Sequence, residues 1–343
     1  MKILRVGMIG VGGFGAYRRD RMRDCGLFEI VAAYDRNPDA LEQSRRQDGA
    51  KPVASYEELL ETPGIEAVVI STGAKFHAAQ ALAAMEKGLH VFVEKPLCAT
   101  PDELRSLAAM QQRTGRVVGV GHADLSHDPK ALKIKAMLDA GDFGTVACIE
   151  ALTAHSGGLE IREGDWRGDP ERNPGGMLFQ CGVHTIHELL FLFGPITSVA
   201  CKMRYDVHTT KTADVAQCLV TFASGLIGTL CAYHVTPYRY TLNIFGTKMS
   251  LYTDERNARY GDPGYYAVQY RKCCVAEPHQ PFVFGEEGKD LGTNLRSFHT
   301  AVCVGGVPYP SLRDGGMAVA VVFVAEASSR SGGSDVAVET PWM

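Results

Sequence analysis

A glycine-rich turn near the start of the chain restricts the fold more than any other feature of the sequence. The apolar run KILRVGMI is followed by GVGGFG, residues 10–15, and then by a stretch of helical character. In such a strand–turn–helix unit, Gly10 allows a tight turn, Gly12 lets the backbone approach a pyrophosphate, and Gly15 lets helix and strand pack closely. The amino end of the helix would face the phosphates. The pattern predicts a dinucleotide-binding unit.

A carboxylate follows this turn at the end of the second predicted strand, FEIVAAYD. Asp35 lies about 20 residues after Gly15, which is the spacing of an acid that hydrogen-bonds the adenosine ribose hydroxyls. Its charge would repel a 2′-phosphate, so the sequence favours NAD over NADP. Arg36 weakens this preference, because an arginine can stack on adenine or bind a phosphate.

Predicted strands and helices alternate over residues 1–121, and the strands are apolar throughout. The later strands are IEAVVIST, HVFVEKP and RVVGVGH, and predicted helices begin at Pro38 and after Thr100, which suits an N-cap followed by proline. Apolar strands in this alternation form a parallel sheet that helices cover on both faces. We therefore predict an α/β chain whose residues 1–122 form a Rossmann domain.

After residue 122 the sequence changes to long β-type runs with polar interruptions, such as VAQCLVTFASGLIGTLCAYHV and RYTLNIFGTKMSLYT. They predict a second α/β domain, residues 123–343, for substrate binding and oligomerisation. Its sheet is expected to be large, open and mostly antiparallel, with an uncovered face that forms a dimer or tetramer. Residues 256–292 are rich in Gly and Pro, and we predict loops there.

Composition and charge argue against several classes of protein. The net charge is −4 and no Lys/Arg-rich run occurs, so we expect no nucleic-acid partner. No apolar stretch reaches the roughly 20 residues of a membrane span, and glycines interrupt the apolar amino terminus, so we expect no signal peptide. The ten cysteines form no CxxC pair, which is typical of small buried side chains in a reducing cytoplasm.

The stretch GGMLFQCGVHTIHELLFLFG, residues 175–194, gathers polar side chains on a predicted helix. Helical spacing places Cys181, His184 and Glu188 on one face, with His187 at its edge. A metal site, a proton-transfer site and the polar edge of a buried helix are the three hypotheses. Zinc accepts these ligand types, but adjacent turns of one helix rarely supply three ligands alone. We expect no metal and a structural role for His187.

The loop before this helix, residues 155–176, is long, glycine-rich and charged, with Trp166 and Arg167 at its middle. An indole face suits the C–H face of a sugar ring, and an arginine can hold a carboxylate or phosphate. The loop is therefore expected to line the substrate site. A loop that is merely ordered by a buried Trp166 is the alternative.

Three stretches together resemble the Gfo/Idh/MocA oxidoreductase family, the group of glucose–fructose oxidoreductase and inositol dehydrogenase. They are the glycine turn, the segment STGAKFHAAQALAAMEKGLHVFVEKPL that contains Glu94-Lys95-Pro96, and GGMLFQCGVHTIHE. Two later stretches, FGTKMSLYT and LRSFHTAVCVGGVPYPS, are also similar to the family. The resemblance covers nearly the whole chain and implies a Rossmann domain followed by an α/β domain with a large open sheet.

The resemblance also implies the activity, which is hydride transfer between NAD(P) and a sugar, inositol or related polyol. It implies that Lys95, beside a cis bond to Pro96, is catalytic and binds substrate, and that His184 is the acid/base. Family members usually carry carboxylates four residues before and three after that histidine, where this chain has Gln180 and His187. An amide holds no charge, so His184 acts alone or with another group.

These roles suit the chemistry of alcohol oxidation. The hydroxyl must lose its proton to a base with a near-neutral pKa, such as His184, and an ammonium such as Lys95 stabilises the oxygen as its charge develops. We expect the two residues to meet in a cleft between the domains, and His77 to tether a loop near the cofactor. Expected cofactor contacts are Gly10, Gly12, Gly13, Phe14, Gly15, Asp35, Arg36, Thr72, Glu94 and Lys95, and expected substrate contacts are Lys95, Trp166, Arg167, Gln180 and His184.

Two alternatives to an NAD-dependent dehydrogenase of CH–OH groups stay open. One is a redox-neutral enzyme of the same family, an NAD-dependent glycoside hydrolase or epimerase, in which the hydride is returned. The other is a non-catalytic NAD-binding regulator, which should lack Lys95 or His184. Both residues are present.

Overall fold

The computed structural model describes residues 2–207, 211–255, 266–272, 280–282 and 292–342. The chain groups into two compact units. The first contains Met1–Asp124 together with Asp290–Gly316 and Trp342, and the second contains Leu125–Lys289 and Met317–Pro341. The last part of the first unit thus follows the second unit in sequence. Among the described residues, no helix has the length and apolar character that crossing a membrane requires.

The first unit is built on a parallel sheet with helices between its strands. Its strands are β1 (Leu4–Ile9), β2 (Phe28–Tyr34), β3 (Lys51–Pro52), β4 (Ala67–Ile70), β5 (His90–Val93) and β6 (Val118–Val120). Its helices up to residue 124 are α1 (Phe14–Cys25), α2 (Pro38–Asp48), α3 (Tyr56–Leu60), α4 (Ala74–Glu86) and α5 (Pro101–Thr114). The strand order is β3-β2-β1-β4-β5-β6, which is the doubly wound order of a Rossmann domain. The predicted fold of this region is confirmed.

Local sequence explains where these helices begin. At α5, the Thr100 side chain accepts a hydrogen bond from the Glu103 N–H and the Glu103 carboxylate accepts one from the Thr100 N–H, with Pro101 in the first turn. This capping box satisfies two N–H groups that the helix itself leaves unpaired. At α2, Asn37 is the N-cap and Pro38 follows it, as the sequence predicts.

The second unit is built on a larger sheet. Its described helices up to residue 255 are α6 (Pro129–Asp139) and α7 (Val183–Phe193), and a π-helical turn, Leu178–Gly182, precedes α7. Its strands are β7 (Val146–Ala154), β8 (Ile196–Arg204), β9 (Val215–Phe222), β10 (Ile227–Tyr233), β11 (Arg239–Gly246), β12 (Met249–Glu255), β13 (Tyr266–Lys272), β14 (Gln280–Phe282) and β15 (Val336–Ala337). The order is β14-β13-β12-β11-β7-β10-β9-β8-β15, and β7 pairs with β10 in parallel while the other neighbours are antiparallel. A large, mostly antiparallel second sheet is therefore confirmed.

Two of these strands correct the prediction of loops over residues 256–292. The segment YAVQYRK forms β13 and pairs in register with β12, and the short β14 pairs with β13. The sequence of β13 does alternate large apolar and other residues, which is the period of a strand, but the Gly/Pro content around it obscured this signal. The remaining residues of that prediction up to residue 291, with Cys273 and Cys274, lie outside the described part of the chain.

One face of the second sheet is buried and the other is exposed. Along β9, the side chains of Ala216, Cys218 and Val220 are buried, whereas Leu219 between them is 49% exposed. Successive side chains of a strand point to opposite faces, so this alternation shows a sheet covered on one side.

Two further helices follow in the later part of the described chain, α8 (Thr293–Cys303) and α9 (Leu312–Arg330). In the first unit, Phe298 of α8 packs edge-on against Phe92 of β5, with ring centroids 5.6 Å apart. Both rings are fully buried, so α8 completes the core beside the parallel sheet.

Gly15 provides a test of how tightly this unit is packed. A Cβ at residue 15 would overlap the carbonyl oxygen of Gly10, so Gly15→Ala must push α1 away from the turn. We expect a loss of about 3 kcal/mol in the free energy of unfolding, the size of an overpacking change. Urea denaturation of the purified variant measures it.

Gly73→Ala is the matched control, because Gly73 also precedes a helix. Its φ is −72° and an added Cβ would approach other atoms no closer than 3.9 Å. We expect this variant to stay within about 0.5 kcal/mol of the wild type. Equal stability of the two variants would contradict the close approach of α1 to the turn.

Candidate cofactor and substrate sites

The glycine turn connects β1 to α1 and has the shape that the sequence predicts. Gly10 has a φ of 79°, and a Cβ there would lie 2.7 Å from the carbonyl group of Ser71. Gly13 has a φ of 53° and an added Cβ would meet nothing within 4 Å, so space is open at the amino end of α1. Phe14 is 54% exposed beside it. Gly12, which lies between Gly10 and Gly13 in sequence, is half-buried.

Asp35 braces this turn directly. Its Oδ2 accepts hydrogen bonds from the backbone N–H groups of Val11, at 2.8 Å, and Gly12, at 3.1 Å, while its Oδ1 accepts one from Asn37 at 2.9 Å. A carboxylate offers about four acceptor positions in all, so one position remains, on Oδ1. The role expected of Asp35 from the sequence is a contact with the ribose, and this bracing of the turn is an additional role. Arg36 beside it is exposed.

Arg19 holds the same turn from the other side. Its side chain is buried, its Nη1 donates to the Val11 carbonyl at 3.2 Å, and it pairs with Asp48 and with Gln47 of α2. The turn is thus held by the Asp35 carboxylate, which accepts from two N–H groups, and by the Arg19 guanidinium, which donates to the Val11 carbonyl. Sequence analysis did not single out Arg19, because the charged run RRDRMRD resembles a solvated helix face.

Glu94, at the end of β5, points into the first unit. Its carboxylate is buried, and Oε1 accepts a hydrogen bond from Arg18 Nε at 2.6 Å. The Arg18 guanidinium lies 4.9 Å from the centroid of the Phe92 ring. The face of an aromatic ring attracts a cation, so this contact stabilises the charged guanidinium. Glu94 therefore fixes α1 to β5 through an ion pair, and a contact with the cofactor stays a prediction.

Lys95 follows β5 and is half-buried, and its peptide bond to Pro96 is cis, as the resemblance implied. His77 lies behind this segment. Its fully buried ring places Nδ1 2.7 Å from the Pro96 carbonyl oxygen and Nε2 2.9 Å from the Thr72 carbonyl oxygen. His77 thereby ties the loop after β4 to the loop after β5, as expected of it. The Thr72 hydroxyl donates to Gln80 at 2.6 Å.

In the second unit, the polar residues around α7 divide into two groups. His184 is on the first turn of α7 and Gln180 is on the π-helical turn before it, and both are half-buried. His187 and Glu188 are buried, and Glu188 pairs with Lys130 of α6 at 2.8 Å. The buried positions of His187 and Glu188 suit a structural role, whereas the His184 side chain is partly exposed.

The zinc hypothesis for this helix finds no support in the described residues. Among them, no group of three or more His, Cys, Asp or Glu side chains is placed to hold a metal ion.

The loop with Trp166 and Arg167 is ordered by a residue that sequence analysis overlooked. Asn173 is fully buried, and its Nδ2 donates to the Arg167 carbonyl at 2.8 Å, which also accepts from the Thr212 hydroxyl at 2.9 Å. Trp166 is only half-buried, and the Arg167 guanidinium lies 4.7 Å from its ring. A buried Trp166 thus does not order the loop, because the Trp166 side chain is partly exposed.

Comparison with known families is consistent with both units. Residues 4–122 match the model described as Gfo/Idh/MocA oxidoreductase family, NAD-binding Rossmann fold, and residues 131–252 match the model of the Gfo/Idh/MocA C-terminal domain. Together the two matches cover more than half of the chain.

Two curated relatives are similar in sequence. The scyllo-inositol 2-dehydrogenase (NAD(+)) of Bacillus subtilis strain 168 is 27% identical over 258 residues, which is 73% of each chain. The 1,5-anhydro-D-fructose reductase of Ensifer adhaerens is 31% identical over 205 residues, which is 59% of this chain and 60% of the relative. The chain therefore spans less than two thirds of the length of the second relative.

Two of the solved structures that match illustrate the similarity in fold. A protein of Desulfitobacterium hafniense DCB-2 described as an NADPH-dependent oxidoreductase has a TM-score of 0.88 at 24% identity, covering 98% of both chains. A levoglucosan dehydrogenase in complex with NADH and L-sorbose has a TM-score of 0.83 at 20% identity, covering 99% of this chain and 100% of the other. The predicted fold class and family are confirmed, and this chain belongs to the Gfo/Idh/MocA oxidoreductase family, with an NAD-binding Rossmann fold in its first 122 residues.

Proposed function

We propose that this protein is an NAD-dependent dehydrogenase that transfers a hydride between nicotinamide and a secondary alcohol or ketone of a sugar, inositol or related polyol. One observation carries the proposal. The glycine turn braced by Asp35, the loop with Thr72 and the segment with Lys95 follow β1, β4 and β5, which are neighbours in one parallel sheet. Ligands of such sheets bind at the carboxyl ends of the strands.

The residues of the first unit fit a dinucleotide. Close packing at Gly10 and Gly15 leaves no room for a Cβ, whereas the space at Gly13 is open, and α1 has no acidic residue in its first turn. The N–H groups at this helix end therefore suit a pyrophosphate. Bound NAD would supply the hydride acceptor, and Gly12, Phe14, Arg36 and Glu94 complete the predicted set around it.

Lys95 and His184 are proposed to act on the reacting alcohol. The Lys95 ammonium would stabilise the oxygen as it becomes negative, an effect that is larger in the transition state than in the ground state. His184 would accept the hydroxyl proton in oxidation and return it in reduction. The half-buried positions of both side chains support this assignment. We propose Trp166, Arg167 and Gln180 as further substrate contacts, because all three are half-buried rather than enclosed.

Other features of the proposal concern the whole protein. The two curated relatives are named as a dehydrogenase and a reductase, so redox-neutral chemistry is not favoured. We also propose a homo-oligomer that uses the uncovered face of the second sheet, where Leu219 and Ile227 are 49% and 48% exposed. A cytoplasmic location is proposed from the placement of cysteines such as Cys218 inside apolar strands.

Asp35 provides a test of cofactor choice. In Asp35→Asn the amide oxygen can still accept from the turn, but the charge and the remaining anionic acceptor are lost. We expect NADH to bind about tenfold or more weakly, the loss of a charge-assisted hydrogen bond, and NADPH to lose less. Fluorescence titration with both cofactors measures this.

Asp39→Asn, on the exposed first turn of α2, is the control for cofactor choice and should change neither affinity. An Asp35→Asn variant that keeps the wild-type preference for NADH over NADPH would contradict the role of Asp35 in choosing the cofactor.

Turnover on a panel of sugars, inositols and other polyols tests the activity. For any substrate that yields NADH with the wild type, we expect Lys95→Met to lower kcat about 100-fold or more and His184→Asn about 100-fold to 10,000-fold. The exposed residues Lys87 and His127 supply the controls Lys87→Met and His127→Asn, which should keep wild-type turnover.

Two results would count against the proposal. One is wild-type turnover in Lys95→Met and His184→Asn. The other is a purified protein that retains stoichiometric NAD, converts a substrate and releases no NADH, which would favour redox-neutral chemistry.

A further inference from the structure

A thiol and an imidazole meet in the second unit, close to His184 in sequence but outside the roles assigned so far. The Cys181 Sγ lies 3.5 Å from Nε2 of His155. Cys181 is on the π-helical turn before α7, and His155 immediately follows β7. Both side chains are half-buried, so the pair is accessible to small molecules.

The protonation of His155 is determined by its other nitrogen. Nδ1 accepts a hydrogen bond from the backbone N–H of Gly157 at 2.9 Å, as the cap of the short helical turn that follows. A nitrogen that accepts has no proton, so in the neutral ring the proton is on Nε2. Burial lowers the pKa of His155, the charge of Arg167 lowers it further, and Glu160 acts in the opposite direction, so the net shift favours the neutral ring. Nε2–H is therefore directed at the sulfur.

Both partners of this pair are held in place by their neighbours. The Tyr240 hydroxyl donates to the Cys181 carbonyl oxygen at 3.3 Å. The His155 ring packs edge-on against the His234 ring, with centroids 4.9 Å apart, and the His155 N–H donates to the Tyr233 carbonyl at 3.0 Å. The donor thus stays aligned with the sulfur.

Four other cysteines of the described chain lie in surroundings that disfavour ionisation. Burial raises the pKa of Cys25, Cys98 and Cys231, and the pKa of Cys218 is also raised, through its contact with Cys201 and its burial. An N–H donor at the sulfur acts in the opposite direction, because it stabilises the thiolate, and the thiolate is the nucleophile.

We propose that Cys181 is a reactive thiolate and a covalent modification site for soft carbon electrophiles such as haloacetamides. Ionisation of the thiol releases its proton to solvent. The sulfur then attacks the CH₂ carbon of the haloacetamide, an S–C bond forms, the carbon–halogen bond breaks, and the halide leaves with the electron pair. Cys181 lies about one helical turn before His184, so the adduct would hinder the approach of substrate to His184. This last consequence rests on the proposed function, whereas the reactivity does not.

Iodoacetamide labelling of the native protein, followed by peptide mass spectrometry, tests the reactivity. Cys303 is the internal comparison. Its Sγ lies 3.6 Å from Nε2 of His299, but that nitrogen is 2.7 Å from the Lys2 carbonyl oxygen and donates its proton there. We expect Cys181 to label about tenfold faster than Cys303 at pH 7, because the N–H donor at its sulfur increases the fraction of thiolate.

The variant His155→Asn tests the contribution of the Nε2–H donor to the reactivity of Cys181. An asparagine side chain still caps the turn by accepting from Gly157, but it has no N–H at the position of Nε2. We expect labelling of Cys181 to fall to the rate of Cys303. Continued protection of the buried Cys98 shows that the variant is folded. Equal labelling of Cys181 and Cys303 in the wild type, or an unchanged rate in folded His155→Asn, would overturn the proposal.

Turnover before and after labelling tests the obstruction separately. We expect iodoacetamide to abolish NADH formation by the wild type and to leave the turnover of Cys181→Ala at its unlabelled value. Full turnover of a protein labelled at Cys181 would overturn the obstruction. Labelling rates are measured without any substrate, so they decide the reactivity even if the protein shows no dehydrogenase activity.

Discussion

The hydrogen bonds from two backbone N–H groups to one oxygen of Asp35 are the constraint on which the first unit depends. They attach the turn after β1 to the end of β2 through contacts within the chain itself. Hydrogen bonds to a charged group contribute about 1.5–3 kcal/mol each. The same turn positions α1 so closely that only glycine fits at residue 15. A single carboxylate thus shapes the turn and keeps one acceptor position, which the proposed contact with a ribose would use.

Buried charges continue this arrangement along α1. Arg18 pairs with Glu94 at the end of β5, and Arg19 pairs with Asp48 at the end of α2. Buried ion pairs contribute little net stability because desolvation is costly, but removal of one partner leaves an uncompensated charge. We infer that these pairs fix where α1 lies relative to the carboxyl ends of the strands. Lys95 is the residue after Glu94, so we infer that the Arg18–Glu94 ion pair also helps to position the Lys95 backbone.

Sequence patterns predicted the features that depend on residues close together in the chain. They did not predict contacts between residues that are distant in sequence. Glycine spacing and strand–helix alternation predicted the parallel sheet, and the Thr100 cap was visible because its partner is three residues away. The bracing by Asp35, the buried Asn173 and the Cys181–His155 pair join residues that become neighbours only in the folded chain. The strand β13 was missed because surrounding Gly and Pro outweighed a short alternation. Gln180 is a further example. The sequence shows an amide where the family usually has a carboxylate, but residue spacing does not predict which side chains the amide contacts.

Transfer of deuterium from substrate to nicotinamide tests the central claim most directly. A polyol that the protein oxidises is deuterated at the reacting carbon and incubated with NAD and the purified enzyme, and the nicotinamide product is analysed by mass spectrometry. Direct hydride transfer predicts NADH that carries the deuterium and a ketone that has lost it. Nicotinamide that contains no deuterium, with the label retained in the sugar product, would contradict the account.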